Sequence, residues 1–295
     1  LSASTVTNAS VIIPTYGDWE GLGACLAALS AQDIDPARFE IVVGNNNGEP
    51  DVPEELVLPS NARVVWEPKP GSYSARNAAV AESRGQVLFF TDADCVPAND
   101  WVSRGLQLLE DDPGVDRLAG RIQLTPAGDR WQIAELYDRL FNLRQARYVK
   151  RGYAATANLV VRRSLFERVG PFNDSLYSSG DKEWNRRAGK LDSGLRYCPD
   201  LVIEHGARAS FEEHAKKRAR VTKGRFLMKG EKRRPSLWSK LRHRLPSLSA
   251  AKVILRAPGL SMAERAGLWR LEQRLGRVEH ETLRQLIRGE AAEHR

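Results

Sequence analysis

Cysteine is scarce: Cys25, Cys95 and Cys198 are the only three in 295 residues, odd in number and far apart. With no Cys-x-x-Cys pair there is no disulfide framework, and this usage fits a reducing cytoplasm. No uninterrupted apolar run approaches the roughly 18–20 residues that cross a bilayer. Leu1 to Ser10 is polar and lacks a basic region followed by an apolar one, so it is not read as a secretory signal. Missing as well are the Gly-x4-Gly-Lys-Ser/Thr phosphate loop, His-Glu-x2-His and Gly-x-Ser-x-Gly. Gly21-Leu22-Gly23 begins like a dinucleotide fingerprint, but Leu26 stands where its third glycine belongs. No helix-turn-helix, RNA-recognition or zinc motif is evident, so nucleic acid is not an expected partner.

What is present is enough apolar residue, 42%, for a real core in one large domain or two ordinary ones. Charge is divided unevenly. Residues 1–150 hold 13 Lys/Arg against 21 Asp/Glu, whereas residues 151–295 hold 32 against 16. The excess is densest over 207–244, with 14 basic and 3 acidic residues. An acidic body with a basic tail suits a phosphate-bearing partner, whether nucleic acid, lipid surface or substrate.

Short apolar runs alternate with helical spacing along the first two-thirds. Ser10-Val11-Ile12-Ile13-Pro14, Phe39-Glu40-Ile41-Val42-Val43, Val64-Val65-Trp66 and Val87-Leu88-Phe89-Phe90 are expected strands. Asp18 is placed to cap a helix bearing Leu22, Cys25, Leu26 and Leu29, and a second helix is expected over 75–83. This alternation predicts an α/β domain with a mainly parallel sheet covered on both faces. Further on, 118–124 is an expected strand and 131–147 one amphipathic helix. Leu159-Val160-Val161, Leu195-Arg196-Tyr197 and Leu201-Val202-Ile203 complete the strands, and from Ser210 the chain is helical and basic. A boundary is expected near Gly230, dividing residues 1–229 (10–125 and 126–229) from a helical extension, 230–295.

In such a sheet, ligands gather beyond the carboxyl ends of the strands. Those ends are Pro14-Thr15-Tyr16, Gly44-Asn45-Asn46 and Thr91-Asp92-Ala93-Asp94. Two carboxylates two residues apart after a buried strand can face one crevice, where hard oxygen donors suit Mg2+ or Mn2+.

The motifs Val11-Ile12-Ile13-Pro14-Thr15-Tyr16, Phe39 to Val43, Gly71-Ser72-Tyr73-Ser74-Ala75-Arg76-Asn77 and Phe90-Thr91-Asp92-Ala93-Asp94 follow in the order and spacing of a family 2 glycosyltransferase. Asn158 within 157–163, Ser179-Gly180-Asp181-Lys182-Glu183-Trp184 and Val202-Ile203-Glu204-His205 extend the resemblance over about residues 10–225. It implies a GT-A fold, a Rossmann-like mixed sheet flanked by helices, and inverting transfer from a nucleoside diphosphate sugar, a UDP-sugar foremost. The resemblance makes Pro14, Thr15, Tyr16, Asn45, Arg76, Asp92, Ala93 and Asp94 the donor site. It gives Asp94 and His205 a Mn2+ or Mg2+ ion, Asp181 the role of general base, and Asn158, Glu183 and Trp184 the acceptor side.

Two positions depart from the family. Asn45 stands where an acidic residue usually reads the base, and Gly180-Asp181 replaces a Glu-Asp pair. A sugar nucleotidyltransferase is the competing enzyme class, yet Pro14-Thr15-Tyr16-Gly17-Asp18 is neither glycine-rich nor basic as its phosphate loop would be. A non-catalytic sugar- or lipid-binding protein is the other alternative. The basic residues over 207–245, with Phe211, Phe226, Leu227, Leu237, Trp238, Leu241 and Leu245, suit contact with anionic lipid. The expectation is therefore a cytoplasmic enzyme, peripheral at the inner membrane, acting on a glycan or polyprenyl-diphosphate-linked acceptor.

Overall fold

A computed structural model describes residues 8–176, 178–229 and 247–288. The chain forms two compact units, Leu1–Gln123 with Arg144–His205, and Leu124–Leu143 with Gly206–Arg295.

The first unit is built on an eight-stranded sheet in the order β3-β2-β1-β4-β7-β6-β8-β5. β1 (Ala9–Thr15), β2 (Phe39–Asn45), β3 (Ala62–Trp66) and β4 (Val87–Thr91) run parallel. β1, β2 and β4 are almost wholly buried, as strands covered on both faces must be, and this is why they are continuous β-branched and aromatic runs. Only that half is parallel. β7 (Asn158–Arg162) runs antiparallel to both β4 and β6 (Val115–Thr125). The short β5 (Cys95–Pro97) is antiparallel to β8 (Gly194–Gly206). The sheet is thus mixed rather than mainly parallel.

Helices α1 (Trp19–Ser30), α2 (Ser72–Ala81) and α3 (Trp101–Glu110) belong to the same unit. Asp18 caps α1 by accepting from the Gly21 amide at 3.0 Å. α2 approaches β2 so closely that a Cβ on Gly44 would lie 2.4 Å from the Ala75 carbonyl oxygen.

The expected helix over 131–147 is two pieces, α4 (Ile133–Phe141) and α5 (Gln145–Val149). They part at Asn142-Leu143, where Leu143 takes a positive φ of 48°. Conversely, the two strands expected around 195–203 are one, β8. Pro199 does not divide it, because β5 pairs only with Ile203 to His205 and leaves the strand unpaired on that side at the proline. α6 (Arg163–Val169) and α7 (Gly180–Gly189) complete the unit.

The second unit packs α4 with α8 (Phe211–Lys229), α9 (Leu248–Arg256) and α10 (Met262–Ile287) around Leu136, Tyr137, Ile254, Leu268, Leu271 and Leu275. Its buried Asp138 pairs with Arg208 at 3.0 Å. Against the cost of burial, Lys217 and Arg208 hold that carboxyl below the usual range. No helix among the described residues is long and apolar enough to cross a membrane. The expected boundary at Gly230 and residues Lys232, Arg233, Arg234, Leu237, Trp238, Leu241 and Leu245 lie outside the described residues.

Candidate active site

β1, β2 and β4 end side by side. Pro14 is half-buried there, Thr15 is buried with its hydroxyl donating to the Asp18 carbonyl at 3.4 Å, and Tyr16 is 73% exposed. β4 stops at Thr91, and Asp92, Ala93 and Asp94 turn the chain into β5. Because Cys95 lies opposite His205 in the β5–β8 pair, the turn sets Asp94 beside that imidazole, Oδ2 to Nε2 3.3 Å. The His205 side chain is 6% exposed and that of Asp94 49%, so the pair forms a protein-backed edge open to a ligand. Donor atoms of Asp94, Cys95 and His205 all lie within 4.8 Å of one another. Burial, then Asp92 and Asp94, pushes the Cys95 thiol well above its ordinary value, which keeps it neutral beneath the pair. Burial with the same two carboxylates pushes Cys25 up to about 12. A carboxylate and an imidazole in contact fit a divalent cation of the Mg2+–Mn2+ type.

Asp92 turns the other way. One carboxylate oxygen accepts from the Arg76 guanidinium, which is 3% exposed on α2 and also donates to the Ser72 carbonyl at 3.1 Å. Arg76 Nε is buried without a hydrogen-bond partner.

One turn earlier on α2, Tyr73 joins this cluster to α7. Its hydroxyl accepts the Asp181 amide at 3.1 Å and donates to Asp181 Oδ1 at 3.5 Å. The fit demands glycine at 180, where a Cβ would sit 2.6 Å from the Tyr73 ring. Ser179 before it has a positive φ of 68° and occupies the N-cap position of α7 without a side-chain capping bond. Asp181 lies in the first turn, and Oδ1 accepts from the Lys182 amide at 2.7 Å. Burial raises its proton affinity above that of an ordinary aspartate and Asp92 adds to the rise. The Lys182 amide, Arg76 and Tyr73 oppose it.

Four expected contacts point elsewhere. Asn45 is fully buried: its amide nitrogen donates to the Glu49 and Pro50 carbonyls and its oxygen accepts from Asn47. It builds the turn after β2 and has no edge left for a base. Asn158, expected on the acceptor side, donates to Arg121 and Leu201 carbonyls and accepts from the Trp101 indole. Its amide is therefore spent inside the sheet. Trp184 is 0% exposed, stacked on Phe166 with its indole N–H on the Gly170 carbonyl at 2.9 Å, so no sugar ring can reach it. Glu183 is paired with Arg187 at 3.0 Å, and Arg187 clamps the Val169 and Pro171 carbonyls. We expect Trp184→Phe to cost about 1–3 kcal/mol of stability. Urea unfolding would measure that, and acceptor KM would stay unchanged.

Tyr73 is not among the residues the sequence motifs single out, although it lies inside 71–77; its hydroxyl at a helix start is the signal for it. Nor is Asn77, which exchanges two 2.9 Å hydrogen bonds with the Phe172 backbone and so ties the loop before Asp181 to α2.

Residues 10–170 match the family model described as glycosyl transferase family 2. Glycosyltransferase AglE of Haloferax volcanii is 35% identical over 76% of this chain and 74% of its own. Succinoglycan biosynthesis protein ExoM of Rhizobium meliloti is 27% identical over 70% and 71%. Among solved structures, the mannosyltransferase PcManGT of Pyrobaculum calidifontis, in complex with GDP-Man and Mn2+, superposes with a TM-score of 0.61. It does so at 17% identity over 97% of this chain and 88% of that one. S. aureus TarS 1–349 in complex with UDP-GlcNAc gives 0.54 at 17% identity over 94% and 92%. The strand order and these superpositions are those of a GT-A fold. Family match and fold agree: this chain belongs to glycosyl transferase family 2 and is a glycosyltransferase enzyme.

Proposed function

We propose that this glycosyltransferase moves a sugar from a nucleoside diphosphate sugar to a glycan or lipid-linked acceptor by single inverting displacement. The observation that carries the reading is Asp181, half-buried with raised proton affinity and held by Tyr73, whose ring lies against the Arg76 guanidinium. An inverting transfer needs one carboxylate to take the acceptor hydroxyl's proton as that oxygen attacks the anomeric carbon. Asp181 Oδ2 does this, while Oδ1 stays on the Tyr73 hydroxyl and the Lys182 amide. Asp94 and His205 would hold the divalent ion, which when bound offsets charge on the leaving diphosphate as a Lewis acid. Asp92, held by Arg76, would meet the nucleotide, and Thr15, Tyr16 and Ala93 line the same strand ends.

Neighbouring folds solved with GDP-Man and Mn2+ and with UDP-GlcNAc support a nucleotide-sugar donor and a divalent ion. A UDP-sugar is the first donor to test, now without Asn45 as base reader. The acceptor is a glycan or polyprenyl-diphosphate-linked glycan, met at the cytoplasmic face of the membrane. The basic character of 207–245 supports peripheral contact there. The test is a panel of nucleotide sugars assayed for donor hydrolysis with Mn2+, with Mg2+ and with chelator. Turnover confined to one donor and abolished by chelator is expected; turnover indifferent to chelator would sink the metal-dependent mechanism.

Tyr73→Phe gives a finer readout. Loss of that hydrogen bond to the carboxylate raises its proton affinity further, so the acid limb of kcat should move to higher pH. Donor affinity should not change. An unmoved limb would separate Tyr73 from Asp181.

A further inference from the structure

In the second unit, α9 carries large apolar side chains on its outer face. Leu248 is 86% exposed and Leu255 70%, and Met262 at the start of α10 is 80% exposed. Leu248 and Leu255 are seven residues apart, two helical turns, so they share one stripe, and Lys252 stands between them. The paired leucines of that stripe need an explanation that scattered side chains do not.

The face is rigid. Ser247 caps α9 by accepting from the Ala250 amide at 3.2 Å, and Ala250 and Ile254 are buried on the opposite side. Arg265 of α10 locks the helix end, donating to the Leu255 carbonyl at 2.8 Å and the Ala257 carbonyl at 2.9 Å. A capping box of Ser261 and Glu264 sets Met262 in place. The backbone beneath the stripe is thus already held, and only side-chain freedom is lost when something covers it.

Charge selects the occupant. From Ser247 to Ala263 there is no Asp or Glu, while Lys252 and Arg256 are exposed, and the sequence entering α9 from residue 230 is strongly basic. A second copy is disfavoured, since two-fold pairing would bring Lys252 and Arg256 against their own images. One nine-residue helix also presents far less than the roughly 800 Å² per partner of a stable interface. Leucine and methionine tips rimmed by cations match an anionic bilayer, where the tips enter the acyl boundary and the cations meet phosphate.

We propose that α9 and the start of α10 are a membrane-docking face, with Leu248, Leu255 and Met262 inserting and Lys252 and Arg256 reading anionic headgroups. It rests on the peripheral-membrane part of the reading above, not on the sugar chemistry, and it moves the contact beyond residue 245. The test is flotation of the full chain with vesicles of phosphatidylcholine alone or with 30% phosphatidylglycerol (about one lipid in three, enough for a surface potential). Leu248→Asp/Leu255→Asp/Met262→Asp should lower binding to the anionic vesicles at least about 100-fold. Lys252→Gln/Arg256→Gln should remove the preference for anionic over neutral lipid. Both variants alter exposed side chains, and unchanged donor hydrolysis checks their fold. If wild type floats and the triple variant floats equally, this face is wrong while membrane contact stands. If wild type does not float with either vesicle, both fail. Loss of a dimer in the triple variant, by light scattering, would assign the face to a second copy instead.

Discussion

Asp181→Asn is expected to cut kcat by about 10²–10⁴-fold while leaving donor affinity where it was. The amide has the shape of the carboxylate and can still accept from the Tyr73 hydroxyl and the Lys182 amide, so α7 and the crevice should keep their geometry. What it cannot do is take a proton from the acceptor hydroxyl. Calorimetry with UDP and Mn2+ together with single-turnover transfer would separate the two quantities. A near wild-type transfer rate in the Asp181→Asn enzyme would show that another group is the base.

The pH dependence has a definite sign. Burial and Asp92 raise the Asp181 pKa, so the basic form accumulates only above the range of an ordinary aspartate. Transfer should fall as pH drops through that raised value, and the Asp181→Asn variant should lose this limb. Stability runs the other way. A carboxyl whose folded pKa is raised contributes most below its unfolded value, and that contribution is lost as pH rises through the folded one. At neutral pH the buried charge is therefore a burden, and Asp181→Asn should raise Tm as it removes activity. Thermal melts at pH 5 and pH 8 should show the gain larger at pH 8.

The parallel half of the sheet was legible because strands covered on both faces must be apolar throughout, and Val11 to Ile13, Ile41 to Val43 and Val87 to Phe90 are. The turn carrying Asp92 and Asp94 was legible for the same reason, since carboxylates abutting a buried run must mark its end. Harder to see was the union of two short runs into β8, because Pro199 looks like punctuation unless the unpaired side of the strand is known. The break at Leu143 carries no glycine or proline to announce it. Side-chain direction was the least legible property. Asn45, Asn158 and Trp184 lie in the expected motifs, yet each turns inward, and their polar atoms bond other groups of the protein rather than a ligand. Tyr73 is the converse case: its ring is core against Phe172, and only its hydroxyl reaches Asp181.

Asp94→Ala should remove metal-dependent donor binding. Its carboxylate is the open member of the Asp94–His205 pair, and the backbone turn around it is held by the Cys95 amide on the Asp92 carbonyl at 3.2 Å. Deleting an exposed carboxylate there should leave the fold intact. Removing a partner that merely orients a metal ligand costs roughly 10- to 100-fold in affinity, so loss of the ligand itself should exceed that. His205→Gln is expected to act in the same direction, because the two side chains face each other where β5 meets β8. Asp92→Asn should behave differently: its carboxylate is engaged by Arg76, so that change should weaken nucleotide binding with and without metal alike. Titrating Mn2+ into each variant with UDP present, against wild type, distinguishes these outcomes. Equal Mn2+ dependence in wild type and Asp94→Ala would place the ion elsewhere, and an Asp92→Asn defect confined to the Mn2+-bound state would exchange the roles of the two aspartates.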